Sequence, residues 1–205
     1  MPLSPASPRD HFHTRDISLK GYYRADGLWD IEAHLTDVKT YAFENAWRGH
    51  MPPGTPIHDM WIRLTVDNDL TVQAIEAVTD GSPFEICPAI TGNFQRIVGL
   101  RIAAGWTQAI KERLGGTEGC THLVELLGPV ATVAFQTVST GKARARALKE
   151  AAEGVDRSGP PAMPRATGGR RPPIIDTCHA LASDGPVVAQ FYPDYYTGKP
   201  AAPEN

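Results

Sequence analysis

Apolar and polar residues alternate with a period of two from Leu28 to Thr36, with Trp29, Ile31, Ala33 and Leu35 on one face and Asp30, Glu32, His34 and Thr36 on the other. That pattern predicts a half-buried strand. The preceding stretch, Ile17 to Arg24, carries Tyr22 and Tyr23 and is expected to pair with it across Ala25-Asp26-Gly27, whose Asp-Gly step favours a hairpin. Met60 to Val66, the turn Asp67-Asn68-Asp69 and the run from Leu70 to Thr79 predict a second hairpin. Beyond Gly81 the strand signal stops, and helical segments are predicted at about Pro88 to Val98, Trp106 to Leu114 and Thr121 to roughly Ala152. In the longest, Leu123, Leu127, Val130, Ala131, Ala134, Phe135 and Val138 form an apolar stripe suited to packing on a sheet. Pro129 cannot donate to the preceding turn, so a kink is expected there. The fold class is therefore α+β: a curved antiparallel sheet, a meander of four or more strands, packed with a long C-terminal helix and shorter helices.

The same pattern divides the chain. Residues 1–14 hold Pro2, Pro5 and Pro8 without a periodic apolar face and predict a flexible arm, residues 15–153 a single α+β catalytic domain. Residues 154–173, with Pro160-Pro161, Gly168-Gly169 and Pro172-Pro173, predict a linker. Residues 174–205 predict a segment that docks on the domain or on a neighbouring subunit, with Pro186 to Tyr192 as an extra strand.

Composition narrows the partners. The 205 residues are 41% hydrophobic and 21% charged, ordinary for a globular chain. A net charge of -3 supplies no general basic field for nucleic acid, and the basic run from Lys142 to Lys149 suits the negative end of a helix. No uninterrupted apolar run reaches the ~18 residues of a membrane span. Three widely spaced cysteines, Cys87, Cys120 and Cys178, fit reduced thiols, and with no apolar leader they predict a cytoplasmic protein.

Three places carry candidate chemistry. Gly115-Gly116-Thr117-Glu118-Gly119-Cys120-Thr121-His122 opens the long helix, where free amides attract developing negative charge and the dipole favours a neutral, proton-accepting His122. Thr121 capping the helix and a buried Cys120 account for the same residues structurally. His58 and Asp59 enter a strand side by side and face opposite sides, so one of them looks inward. Glu76 shares a strand face with Val72, Ala74 and Val78, which would raise its proton affinity unless a bulge turns it to water. Cys120, His122, Cys178 and His179 near His58 and Asp59 offer metal-ligand types, but the spacing matches no zinc motif, and neither metal nor cofactor is expected.

The series Gly27-Leu28-Trp29-Asp30-Ile31-Glu32, Pro56-Ile57-His58-Asp59-Met60, Pro83-Phe84-Glu85-Ile86-Cys87, Gly99-Leu100-Arg101-Ile102 and Gly119-Cys120-Thr121-His122-Leu123 resembles a bacterial domain-of-unknown-function family over about Arg15 to Val138, with an echo at Asp176-Thr177-Cys178-His179. Some relatives are γ-formaldehyde lyases in the breakdown of lignin-derived aromatic dimers. The resemblance implies a carbon-carbon lyase that removes a hydroxymethyl carbon from a phenylcoumaran to leave a stilbene. His122, His58, Asp59 and Glu76 are then the candidate acid/base residues. Tyr22, Tyr23, Lys39 and Arg101 would hold phenol or carboxylate groups, Trp29, Trp61, Phe84 and Trp106 would supply flat apolar walls, and Cys120 and Thr121 would line the site beside His122. The expected partners are a small aromatic substrate and a second copy of the chain, a homodimer. A metal-dependent hydrolase or lyase and a non-catalytic binder of aromatic acids are the alternatives.

Overall fold

The computed structural model describes residues 3–152 and 171–198; of the expected linker only its last residues fall within them. The chain divides into two compact units, Met1–Asp156 and Arg157–Asn205. In the first unit, strands β1 (His13–Tyr23), β2 (Trp29–Lys39), β5 (Pro56–Val66) and β6 (Val72–Gly81) form an antiparallel sheet in the order β1-β2-β5-β6. A small hairpin, β3 (Phe43–Asn45) with β4 (Gly49–Met51), is inserted between β2 and β5. This is the predicted meander, with the small hairpin as an addition that the pattern did not signal.

Gly27 makes the first hairpin close. It adopts the left-handed conformation (φ 87°) and donates its N–H to the Arg24 carbonyl at 3.1 Å, so the loop runs from Arg24 to Leu28 rather than through a two-residue Asp-Gly turn. Counting outward from that loop pairs Tyr23 with Trp29 and Arg15 with Asp37. His13 and Thr14, assigned to the arm by sequence, therefore belong to β1. The residues before them, from Leu3, carry no regular structure.

One sheet face is apolar. Trp29, Ile31, Ala33 and Leu35 of β2, and Met60, Ile62, Leu64 and Val66 of β5, are buried against the helices. Helix α2 (Thr121–Ala152) lies on this face across β1, β2 and β5, with Leu123, Leu126, Leu127, Val130, Ala134 and Val138 buried. It continues as one helix through Pro129. Phe135, counted in the stripe by spacing, is exposed, because Leu126 rather than Phe135 completes the buried row. By length and composition Thr121–Leu148 is also apolar enough to cross a membrane. Its apolar side is occupied by the sheet.

One expected helix and one expected strand differ from the reading. Cys87–Ile97 is a 3-10 segment, not an α-helix, and buries Phe94 and Ile97; α1 (Trp106–Leu114) matches its predicted bounds. In the second unit Pro186–Phe191 forms a short helix, α3, instead of a strand, with Val188 buried. Gly185 ahead of Pro186 starts it, since a proline at the first helical position loses no hydrogen bond.

Candidate functional site: a buried carboxylate among imidazoles

The alternation that buries Leu35 continues two residues further and places a carboxylate in the core row. Asp37 is buried, its side chain 2% exposed, on the helix-covered face. Its cross-strand partners are Arg15 on β1 and His58 on β5, so three adjacent strands line up Arg15, Asp37 and His58. A buried charge must be paired and hydrogen-bonded, and Asp37 is held by four donors. Arg15 Nε and His13 Nε2 reach Oδ1 at 2.8 and 3.0 Å, while Arg15 Nη2 and His58 Nδ1 reach Oδ2 at 2.8 and 2.9 Å. Arg15 also bridges to Glu125 of α2, Nη1 to Oε2, at 2.8 Å. One guanidinium thus ties the strand carboxylate to the helix.

The start of α2 delivers the second imidazole. His122, in the first turn, lies with its ring centroid 3.8 Å from that of His58 and the planes inclined by 33°. The loop before it is shaped by glycines for packing reasons: a Cβ on Gly115 would meet the Lys111 carbonyl and one on Gly119 the Leu114 carbonyl. The Cys120 carbonyl accepts the Val124 N–H at 2.8 Å, which begins the helix there. Cys120 Sγ sits 4.0 Å from His122 Nδ1.

The electrostatics follow from this packing. Burial alone would raise the Asp37 pKa, but hydrogen bonds from Arg15, His58 and His13, with the Arg15 charge, hold it at about 2. An ionised carboxylate only accepts, so His58 Nδ1 is the protonated nitrogen and Nε2 keeps its lone pair. Burial pushes the His58 pKa down and outweighs the opposing pull of Asp37. It lowers that of His122 too, helped by neighbouring His58 and Arg15. Two neutral imidazoles, one oriented by a fixed carboxylate, form an arrangement capable of general acid–base chemistry. One ligand atom from each of Asp37, His58 and His122 also falls within 4.8 Å of the other two.

Of the four acid/base residues read from sequence, the structure brings His58 and His122 together and separates the others. His58 is the inward member of its pair, its side chain 13% exposed. Asp59 faces the opposite side, where it accepts from His34 Nε2 at 2.7 Å, and His34 stacks on Trp61 at 3.6 Å. Glu76 is not in an apolar site: a register shift between Thr65 and Val66 turns Val72 and Ile75 inward, and Glu76 is 62% exposed on the open face, bonded to Arg63 at 2.8 Å.

The expected substrate-binding residues do not converge. Trp29 and Trp106 are core residues whose indole N–H groups bond Asn68 Oδ1 and the Leu127 carbonyl. Tyr23 packs on Trp29 at 4.5 Å, far along β2 from Asp37. Tyr22 and Trp61 lie on the open face, Phe84 is exposed, and Arg101 binds the Asp69 carbonyl. Lys39 sits over the Tyr41 and Phe43 rings. Only Cys120 and Thr121 adjoin the imidazole pair. Sequence reading passed over Asp37, Arg15 and His13. Two of these carried a signal: Asp37 is in phase with Leu35, and the hairpin count pairs Arg15 with it.

Fold and site together define an α+β domain with a carboxylate–imidazole cluster at one end of its core. The chain belongs to the family described as protein of unknown function (DUF2889), whose model matches residues 13–136 and so takes in His13, Arg15, Asp37, His58, His122 and Glu125. No curated protein and no solved structure matches the chain.

Proposed function

We propose that this domain is a carbon-carbon lyase that releases formaldehyde from a hydroxymethyl-bearing aromatic dimer of the phenylcoumaran type, leaving a stilbene, by acid–base chemistry at His58 and His122. The observation that carries the reading is the Asp37–His58 hydrogen bond beside the His122 ring. In this mechanism His58 Nε2 takes the proton of the primary hydroxyl. The carbon-carbon bond to the hydroxymethyl carbon breaks as the formaldehyde C=O forms. The released electron pair makes the stilbene double bond and expels the ring ether oxygen as a phenolate, which receives a proton from the imidazole pair. The balance is redox-neutral, and the free amides at the start of α2 suit the negative charge that develops beside His122. Asp37 acts by positioning, since it holds the His58 tautomer and stabilises the imidazolium that forms.

The test is formaldehyde release with stilbene absorbance from a hydroxymethyl phenylcoumaran, using chelator-treated full chain. His58→Ala and His122→Ala are expected to lower kcat by ~10²–10⁴-fold, the usual worth of a positioned acid or base. No formaldehyde from wild type, or unchanged turnover in both variants, overturns the reading.

A second reading, a non-catalytic binder of aromatic acids, is favoured by one observation. A cavity of about 670 Å³ is lined by Tyr23, Trp29, Lys142, Arg146 and Leu148, aromatic walls beside two cations. Saturable binding of an aromatic carboxylate that Lys142→Ala weakens, without product, would support that reading over the lyase.

A further inference from the structure

We propose that Asp37, His58 and His122 bind one divalent transition-metal ion of the zinc or cobalt class. The proposal stands apart from the lyase reading and rests on geometry and charge. The three side chains come from three separate elements, two adjacent strands and the first turn of α2, yet offer one ligand atom each within a 4.8 Å span. Ligands around a tetrahedral zinc at ~2.0–2.1 Å lie roughly 3.3 Å apart, so the set has to close by at most about 1.5 Å. Ligation through His58 Nδ1 moves its proton to Nε2 and replaces the 2.9 Å hydrogen bond to Asp37 Oδ2 by bonds to the ion, with His122 closing through its side-chain torsions.

The donor set is two imidazoles and a carboxylate, the protein half of an open site whose remaining position is left to water. Charge favours a cation there. With both imidazoles neutral, Asp37, Arg15 and Glu125 sum to -1 through two carboxylates and one guanidinium. His13, bonded to the other Asp37 oxygen at 3.0 Å, fixes the carboxylate as outer partners of metal ligands do. Arg15 on the same carboxylate weakens the hold on the ion and places the affinity below that of a structural zinc site. A bound ion takes an imidazole lone pair, so metal binding and base catalysis at His58 exclude each other.

The experiment titrates cobalt(II) into tag-free, chelator-stripped full chain and reads the visible d–d absorption. Saturation at one ion per chain is expected, with zinc displacing the signal. His58→Gln and His122→Gln, each checked for folding by circular dichroism, should weaken binding at least ~10-fold, while His34→Gln on the open face leaves it unchanged. The proposal is overturned if wild type shows no one-to-one saturation, or if both folded site variants retain wild-type binding. No substrate enters the titration, so absence of formaldehyde release in the separate assay bears on the lyase alone.

Discussion

At the residue scale the molecule turns on Asp37. A carboxylate with four donors and almost no water is stable only while every donor remains, and removing one member of such a buried pair commonly costs ~3–5 kcal/mol. Asp37→Asn leaves the Arg15 guanidinium facing a neutral amide that also presents N–H groups to the imidazoles. Because Arg15 keeps 32% of its side chain in solvent, we expect a loss near the lower end, about 3 kcal/mol, read from denaturant midpoints. Asp59→Asn, in a half-exposed pair with His34, should cost less than ~1 kcal/mol. Equal losses in the two variants would show that burial does not govern the pair. The acid limb of stability follows from the same group. The folded pKa of about 2 lies below the unfolded 3.8, so the stabilisation is complete above roughly pH 4 and drains as pH falls toward 2. In metal-free protein the difference is worth ~2 kcal/mol, and Asp37→Asn should flatten that part of the stability–pH curve. A curve in the variant as steep as wild type would assign the acid sensitivity elsewhere.

At the scale of elements, what could be read from sequence was whatever local periodicity dictates. β2, β5, α1 and α2 announce themselves because a period of two or 3.6 is written into adjacent residues. The β2–β5 register is not local: it pairs Asp37 with His58 across an inserted hairpin and a bulge after Asp37, and no count along the chain yields it. That is why His58 was legible as a candidate while its pairing with Asp37 was not. Glu76 failed for the related reason that the shift at Thr65/Val66 moves the face on which β6 is apolar. The helix–sheet seam carries a sharper test. Gly141 is a glycine within α2, where alanine would ordinarily gain up to ~1 kcal/mol of helix propensity. A Cβ at this position, however, runs into the six-membered ring of Trp29, itself packed and bonded through its indole N–H to Asn68. Overpacking of this kind costs ~1–3 kcal/mol, so Gly141→Ala is expected to lower the melting temperature despite the better helix former. A raised melting temperature would mean that Trp29 yields and propensity wins.

At the scale of the whole chain, core and cluster share one unit. The sheet, α1, α2 and all six residues of the carboxylate cluster lie within Met1–Asp156, as does the family match over residues 13–136. The buried apolar rows of β2, β5 and α2 are satisfied by one another, and Arg15 closes the cluster between β1 and Glu125 of the same unit. A segment with its own core and its own paired charges has what independent folding requires. Ending the chain after Asp156 should therefore leave a cooperatively unfolding protein, its melting temperature within about 4 °C of the full chain, the shift that ~1 kcal/mol produces at this size. The shortened chain should also bind cobalt(II) as the full chain does, because all three proposed ligands remain. Loss of the cooperative transition would show that residues beyond 156 belong to the folding unit. Cooperative unfolding with cobalt(II) binding lost would place a requirement for the metal site beyond that point, and would separate the site's integrity from the fold's.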